Sequence, residues 1–131
     1  MGNLLILNGS PRAPRSNSRR YAQIFSSCYG ENTEYFDITK RNHPELCAKL
    51  AGASHVLFVF PLYADGLPVT LLNFLKSLEA APPQNKPAVS VLINCGFLEP
   101  QQNEMAVEMM RLFCRQNHYP FGSVLKIGSG E

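Results

Sequence analysis

Short apolar runs alternate with amphipathic stripes along almost the whole chain, and this alternation restricts the fold more than any single residue does. Residues 3–7, 33–38, 55–60, 88–93 and 124–127 read as strands. The runs at 3–7, 55–60 and 88–93 are nearly continuous in apolar residues, which suits strands buried on both faces of a parallel sheet. Between the strands, side chains recur at helical spacing. Tyr21, Ala22, Ile24, Phe25 and Cys28 share one face, and Leu46, Cys47, Leu50 and Ala51 another. Leu71, Leu72, Phe74, Leu75 and Leu78 mark a third helix, and Met105, Ala106, Met109, Leu112 and Phe113 a fourth.

The punctuation agrees with these elements. Asn8-Gly9-Ser10-Pro11 ends the first strand with turn chemistry, and Pro61 stops the third. Asn42, His43 and Pro44 open the second helix, with proline near its permitted first position, and Gly52 closes it. Strands alternating with helices imply parallel pairing through right-handed crossovers. With 131 residues and no interdomain linker, residues 1–131 read as one α/β domain.

Composition excludes several classes of function. The chain is 45% hydrophobic and 17% charged, too apolar for a disordered segment. A net charge of +2 is too small to argue for nucleic acid or an anionic membrane, and neither is expected as a partner. No apolar run approaches the roughly 20 residues of a membrane span, and the polar stretch 9–20 stands where a signal peptide would be apolar. Cys28, Cys47, Cys95 and Cys114 show no metal-type spacing and read as reduced thiols of a cytoplasmic protein, with no metal site. His43, His55 and His118 follow no ligand spacing and read as surface or strand-end residues.

The chemistry is expected in three loops, which a parallel sheet brings to the same edge. The first contains Ser10, Arg12, Ser16, Asn17 and Ser18 directly before a helix. A helix N-terminus offers unpaired N–H groups and partial positive charge, so hydroxyls, an amide and arginine there favour a phosphate. The alternative is a polar loop ending in an ordinary N-cap. The loop has neither the glycine and Lys-Ser/Thr pattern of a P-loop nor GxGxxG, and it contains no cysteine nucleophile. The second loop, residues 61–68, has two prolines, Gly66, and Tyr63, which can lie against a flat ring. The third, residues 94–99, has Gly96 where backbone can approach a ligand closely.

Together the strands and loops resemble the flavodoxin-like NADPH-dependent FMN reductases and NAD(P)H quinone reductases. The opening strand with Gly9-Ser10-Pro11-Arg12 and Ser16-Asn17-Ser18 carries the resemblance, with Pro61-x-Tyr63, Pro68 and the helix that follows. It implies a flavodoxin-like, doubly wound, five-stranded parallel sheet of order 2-1-3-4-5. It also implies FMN as cofactor and NAD(P)H as co-substrate. Ser10, Arg12, Ser16, Asn17 and Ser18 would hold the phosphate. Pro61, Leu62, Tyr63 and Ala64 would line the ring, and Asn94, Cys95 and Gly96 would meet its polar edge. The implied activity passes electrons from NAD(P)H to a quinone or similar small acceptor. No catalytic side chain is assigned, because the flavin itself carries the redox chemistry. A flavodoxin-type electron carrier and a shortened non-catalytic module are the alternatives; a sequence pI near 8.4 argues against the carrier, whose family tends to be acidic.

One further expectation follows from topology. In this strand order the first helix lies on one face and the next three on the other. A final helix would join the first, but the chain ends at Gly128-Ser129-Gly130-Glu131 before one forms. Apolar side chains of residues 56–60 and 88–93 should then stand uncovered, calling for a homodimer or a missing C-terminal segment.

Overall fold

A computed structural model of the chain describes residues 4–9, 33–61, 67–94 and 100–127. Their strands are β1 (Leu4–Asn8), β2 (Thr33–Asp37), β3 (His55–Pro61), β4 (Ala88–Asn94) and β5 (Phe121–Ile127). The described helices are α1 (His43–Ala51), α2 (Val69–Ala80) and α3 (Pro100–Asn117). The expected helix over residues 21–28 lies outside the described residues. All four strand pairings are parallel, and the order is β2-β1-β3-β4-β5. This is the flavodoxin-like arrangement that the resemblance implies, and its parallel pairing is what the alternation of elements predicts.

Alternate residues of each central strand enter two separate cores, as the pleat requires. Leu5, Leu7, Val56, Phe58, Phe60, Val89, Val91 and Ile93 meet the apolar faces of α1, α2 and α3 in the larger core. Leu4, Ile6, Leu57, Val59 and Leu92 form the smaller core on the opposite face, with Tyr35 packed against it. All three described helices therefore cover one face.

The smaller core corrects the expectation of an uncovered sheet. Leu57 is 1% exposed, Val59 0% and Leu92 2%. These side chains of β3 and β4 are buried rather than uncovered. On the edge strand β5, Leu125, the register partner of Leu92, is 39% exposed.

Local details follow the sequence closely. Pro44 stands in the first turn of α1 after Asn42. The Asn42 side chain does not cap the helix. It donates to the Asp37 carbonyl at 2.9 Å and accepts from the Thr39 N–H at 2.9 Å, tying the end of β2 to the start of α1. Beyond α3, His118 takes a left-handed φ of 65°. The Tyr119 N–H then closes back on the Cys114 carbonyl at 2.8 Å, a common way to satisfy the last turn of a helix.

β5 begins at Phe121, three residues before the apolar pattern suggests. Its pairing with β4 is irregular: Val89 faces Phe121, but Val91 faces Val124. The extra residue of this bulge breaks the alternation on which a sequence reading relies. The Ser90 hydroxyl accepts the Ser123 N–H at 3.1 Å, and a Cβ on Gly122 would lie 2.9 Å from that same oxygen. Glycine is therefore the residue that lets the bulge close over Ser90.

Candidate functional site at the carboxyl edge of the sheet

Parallel pairing places Asn8, Asp37, Pro61, Asn94 and Ile127 along one edge, each the last residue of its strand. β1 and β3 are neighbours, and the chain leaves β1 toward β2 on one side but β3 toward β4 on the other. Such a switch point opens a crevice beyond the strand ends, where ligands of doubly wound sheets bind. Pro61 and Asn94 are direct register partners, and Asn8 is aligned with Val59 on the neighbouring strand. The second and third loops thus depart side by side, next to the first.

The departure of the first loop is held from several directions. The Asn8 carbonyl accepts the Ile38 N–H at 2.9 Å, and the Gly9 N–H donates to the Val59 carbonyl at 2.8 Å. A Cβ on Gly9 would stand 3.0 Å from the Leu71 Cβ, so the backbone passes close against the first turns of α2. The absent side chain of Gly9 is what permits this approach.

Among the described residues Asn8 is the one buried polar side chain, with 0% exposure. Its amide nitrogen donates to the Tyr35 hydroxyl at 2.9 Å and to Asp37 Oδ1 at 3.3 Å. The Tyr35 hydroxyl in turn donates to Asp37 Oδ1 at 2.5 Å. Burying a polar amide is costly unless it is hydrogen-bonded, and this network meets that requirement. Sequence reading treated Asn8 as turn chemistry and missed the network. The available signal was Tyr35 and Asp37, two polar-ended residues on one face of β2, beside an apolar run that ends in asparagine.

Of the residues expected to bind the cofactor, Pro61 and Asn94 are described, and the sheet brings them together. Ser10, Arg12, Ser16, Asn17, Ser18, Leu62, Tyr63, Ala64, Cys95 and Gly96 lie outside the described residues.

The titrating groups with shifted behaviour sit elsewhere. Tyr119 precedes β5 and so lies toward the opposite, amino edge. Burial pushes its hydroxyl up to about 12, with the nearby Cys47 and Cys114 thiols adding to the effect. Burial also raises the Cys47 thiol and pushes Cys114 up to about 12. Both cysteines are free, and their thiols are held in the unreactive protonated form. His43 Nδ1 lies 2.7 Å from the Ser77 hydroxyl and the ring meets Phe74 edge-on, a packing role. His55 is exposed beside Ser54, and His118 serves the turn after α3. Among the described residues no group of three or more His, Cys, Asp or Glu could hold a metal ion. No described helix is long and apolar enough to cross a membrane.

No protein-family model matches the chain, and no curated relative matches it in sequence. Solved structures do match in shape. An NADPH-quinone reductase from P. pentosaceus superposes with a TM-score of 0.73 at 16% identity, covering 98% of this chain and 85% of that one. An FMN-dependent NADH-azoreductase from Bacillus anthracis, determined in complex with FMN, gives 0.72 at 12% identity, covering 96% and 86%. A flavodoxin from Streptococcus pneumoniae gives 0.70 at 15% identity, covering 97% and 86%. At these identities the likeness establishes the shared fold.

Proposed function

We propose that this flavodoxin-like domain binds FMN at the carboxyl edge of its sheet and acts as an NAD(P)H-dependent oxidoreductase toward a quinone or similar small acceptor. The observation that carries this reading is the switch point itself. The strand order puts Asn8–Gly9, Pro61 and Asn94 at one edge, so the three loops with phosphate-binding and ring-lining sequences leave from adjacent strands. The shape neighbours support it, since they include an azoreductase determined with FMN and a quinone reductase.

In this reading each loop has a physical task. Ser10, Ser16, Asn17 and Ser18 supply neutral donors, and Arg12 a charged one, to a phosphate at the start of a helix. Pro61 stiffens the backbone where the second loop begins, so that Leu62, Tyr63 and Ala64 face the ring with little freedom to lose. Asn94, Cys95 and Gly96 offer amide and backbone groups to the polar rim of the ring. The hydride and electron chemistry belongs to the flavin; the chain binds, orients and shields it. The setting this implies is the cytoplasm.

The flavodoxin from Streptococcus pneumoniae matches about as well as the reductases, which keeps one second reading: an electron carrier without turnover of its own. Steady-state oxidation of NADH and NADPH by the FMN-loaded protein, with and without a quinone, separates the two. The proposal expects quinone-dependent nicotinamide oxidation. An FMN-loaded protein that is reduced by dithionite but never by NADH or NADPH would establish the carrier instead.

A further inference from the structure

We infer that Asn8, Tyr35 and Asp37 form a positioning set that aims the first loop, and through it sets how well the site holds a flavin phosphate. This rests on the FMN reading above and names how that site is built. The three side chains make a closed triangle: Asn8 to Tyr35 at 2.9 Å, Asn8 to Asp37 at 3.3 Å, and Tyr35 to Asp37 at 2.5 Å. The triangle fixes the side chain of the last residue of β1, immediately before Gly9. Its backbone is fixed independently by Ile38 and Val59, and Leu71 blocks movement on the α2 side. A phosphate site made of N–H groups and hydroxyls depends on aim, because hydrogen bonds weaken steeply when misaligned.

The set has an electrostatic task as well. Asp37 brings a carboxylate to the same edge of the sheet where an anion would sit. Two neutral donors, Tyr35 and Asn8, point at its Oδ1 and satisfy it locally. The triangle therefore aims the loop.

Tyr35→Phe removes the oxygen that bonds Asn8 and Asp37 while keeping the ring that packs on the smaller core. Asp37→Asn keeps an Oδ1 acceptor for both partners and serves as the conservative variant. The first readout needs no ligand. Amide exchange at Gly9 and Ile38 should accelerate about fivefold in Tyr35→Phe, the size expected for losing one net hydrogen bond. The Val89 N–H, bonded to the Pro120 carbonyl at the far edge, should not change. The second readout is the ratio of FMN to riboflavin affinity, which a general loss of stability would leave alone. That ratio should fall about fivefold or more in Tyr35→Phe and stay within about twofold of wild type in Asp37→Asn. Unchanged exchange at Gly9 and Ile38, or an unchanged ratio in Tyr35→Phe, overturns the positioning role. A wild-type protein with no preference for FMN over riboflavin overturns the FMN reading, and the inference with it, whatever the exchange shows.

Discussion

Gly9 and Leu71 stand so close that a single added methyl group would bring their β-carbons to 3.0 Å. The contact joins the end of β1 to the start of α2. Leu71 is fully buried and its Cβ is anchored to the helix backbone, so it cannot swing away like the tip of a long side chain. Gly9→Ala should therefore destabilise the protein by about 1–3 kcal/mol, the usual cost of overpacking a tight site. Chemical denaturation measures it. A double variant that also carries Leu71→Gly, which removes the opposing β-carbon, should show coupling, losing less than the sum of the two single changes. Strict additivity would mean that the two residues do not press on each other.

Tyr119 points the other way energetically. Its ring is well placed, stacked on Phe113 at 5.7 Å and carrying the Lys86 ammonium 4.7 Å from its centre. Its hydroxyl is buried and finds no hydrogen-bond partner. An unpaired buried hydroxyl costs stability, whereas the ring without it does not. Tyr119→Phe should leave the fold intact and raise stability by about 1 kcal/mol. A lower melting temperature in the variant would show that the hydroxyl contributes a favourable interaction.

The same group gives the protein an alkaline limit. Tyr119 is pushed from 10.0 to about 12 and Cys114 from 9.0 to about 12, so the folded state keeps both protonated where the unfolded chain ionises. A raised value means that the stabilisation is complete below the unfolded value and is lost as pH rises toward the folded one. Melting temperature should hold steady up to about pH 9 and fall between about 9 and 12, with Tyr119→Phe pulling ahead of wild type above about pH 10. Parallel curves for the two proteins across that range would contradict this account of Tyr119.

The phosphate-binding role of the first loop has its own test. Ser16→Ala with Ser18→Ala removes two donors expected at the phosphate. Hydrogen bonds to charged groups contribute about 1.5–3 kcal/mol each, so FMN affinity should drop tenfold or more while riboflavin affinity barely changes. Equal weakening of both ligands would move these serines away from the phosphate.

Much of the fold was legible because its signals are local and repeated. The continuous apolar runs at β1, β3 and β4 have the composition that burial on both faces demands, and the structure buries them so. Pro44 and Gly52 bracket α1 where proline and glycine are tolerated. What the pattern could not show depends on partners distant in sequence. The start of β5 is hidden because Gly122 and Ser123 fit only against Ser90, more than thirty residues away. Asn8 reads as a turn residue until Tyr35 and Asp37 are seen beside it. The expectation of uncovered side chains fails at Leu57, Val59 and Leu92, which the smaller core buries. At the candidate site, adjacency of the loops followed from topology, and Pro61 beside Asn94 is its structural counterpart.

The central claim is that the carboxyl edge of this sheet binds FMN, and a fluorescence titration of FMN with the purified protein tests it most directly. The account predicts saturable quenching at micromolar protein, one flavin per chain, and weaker binding of riboflavin, which lacks the phosphate. No saturable quenching of FMN, with the protein shown to be folded, would contradict it.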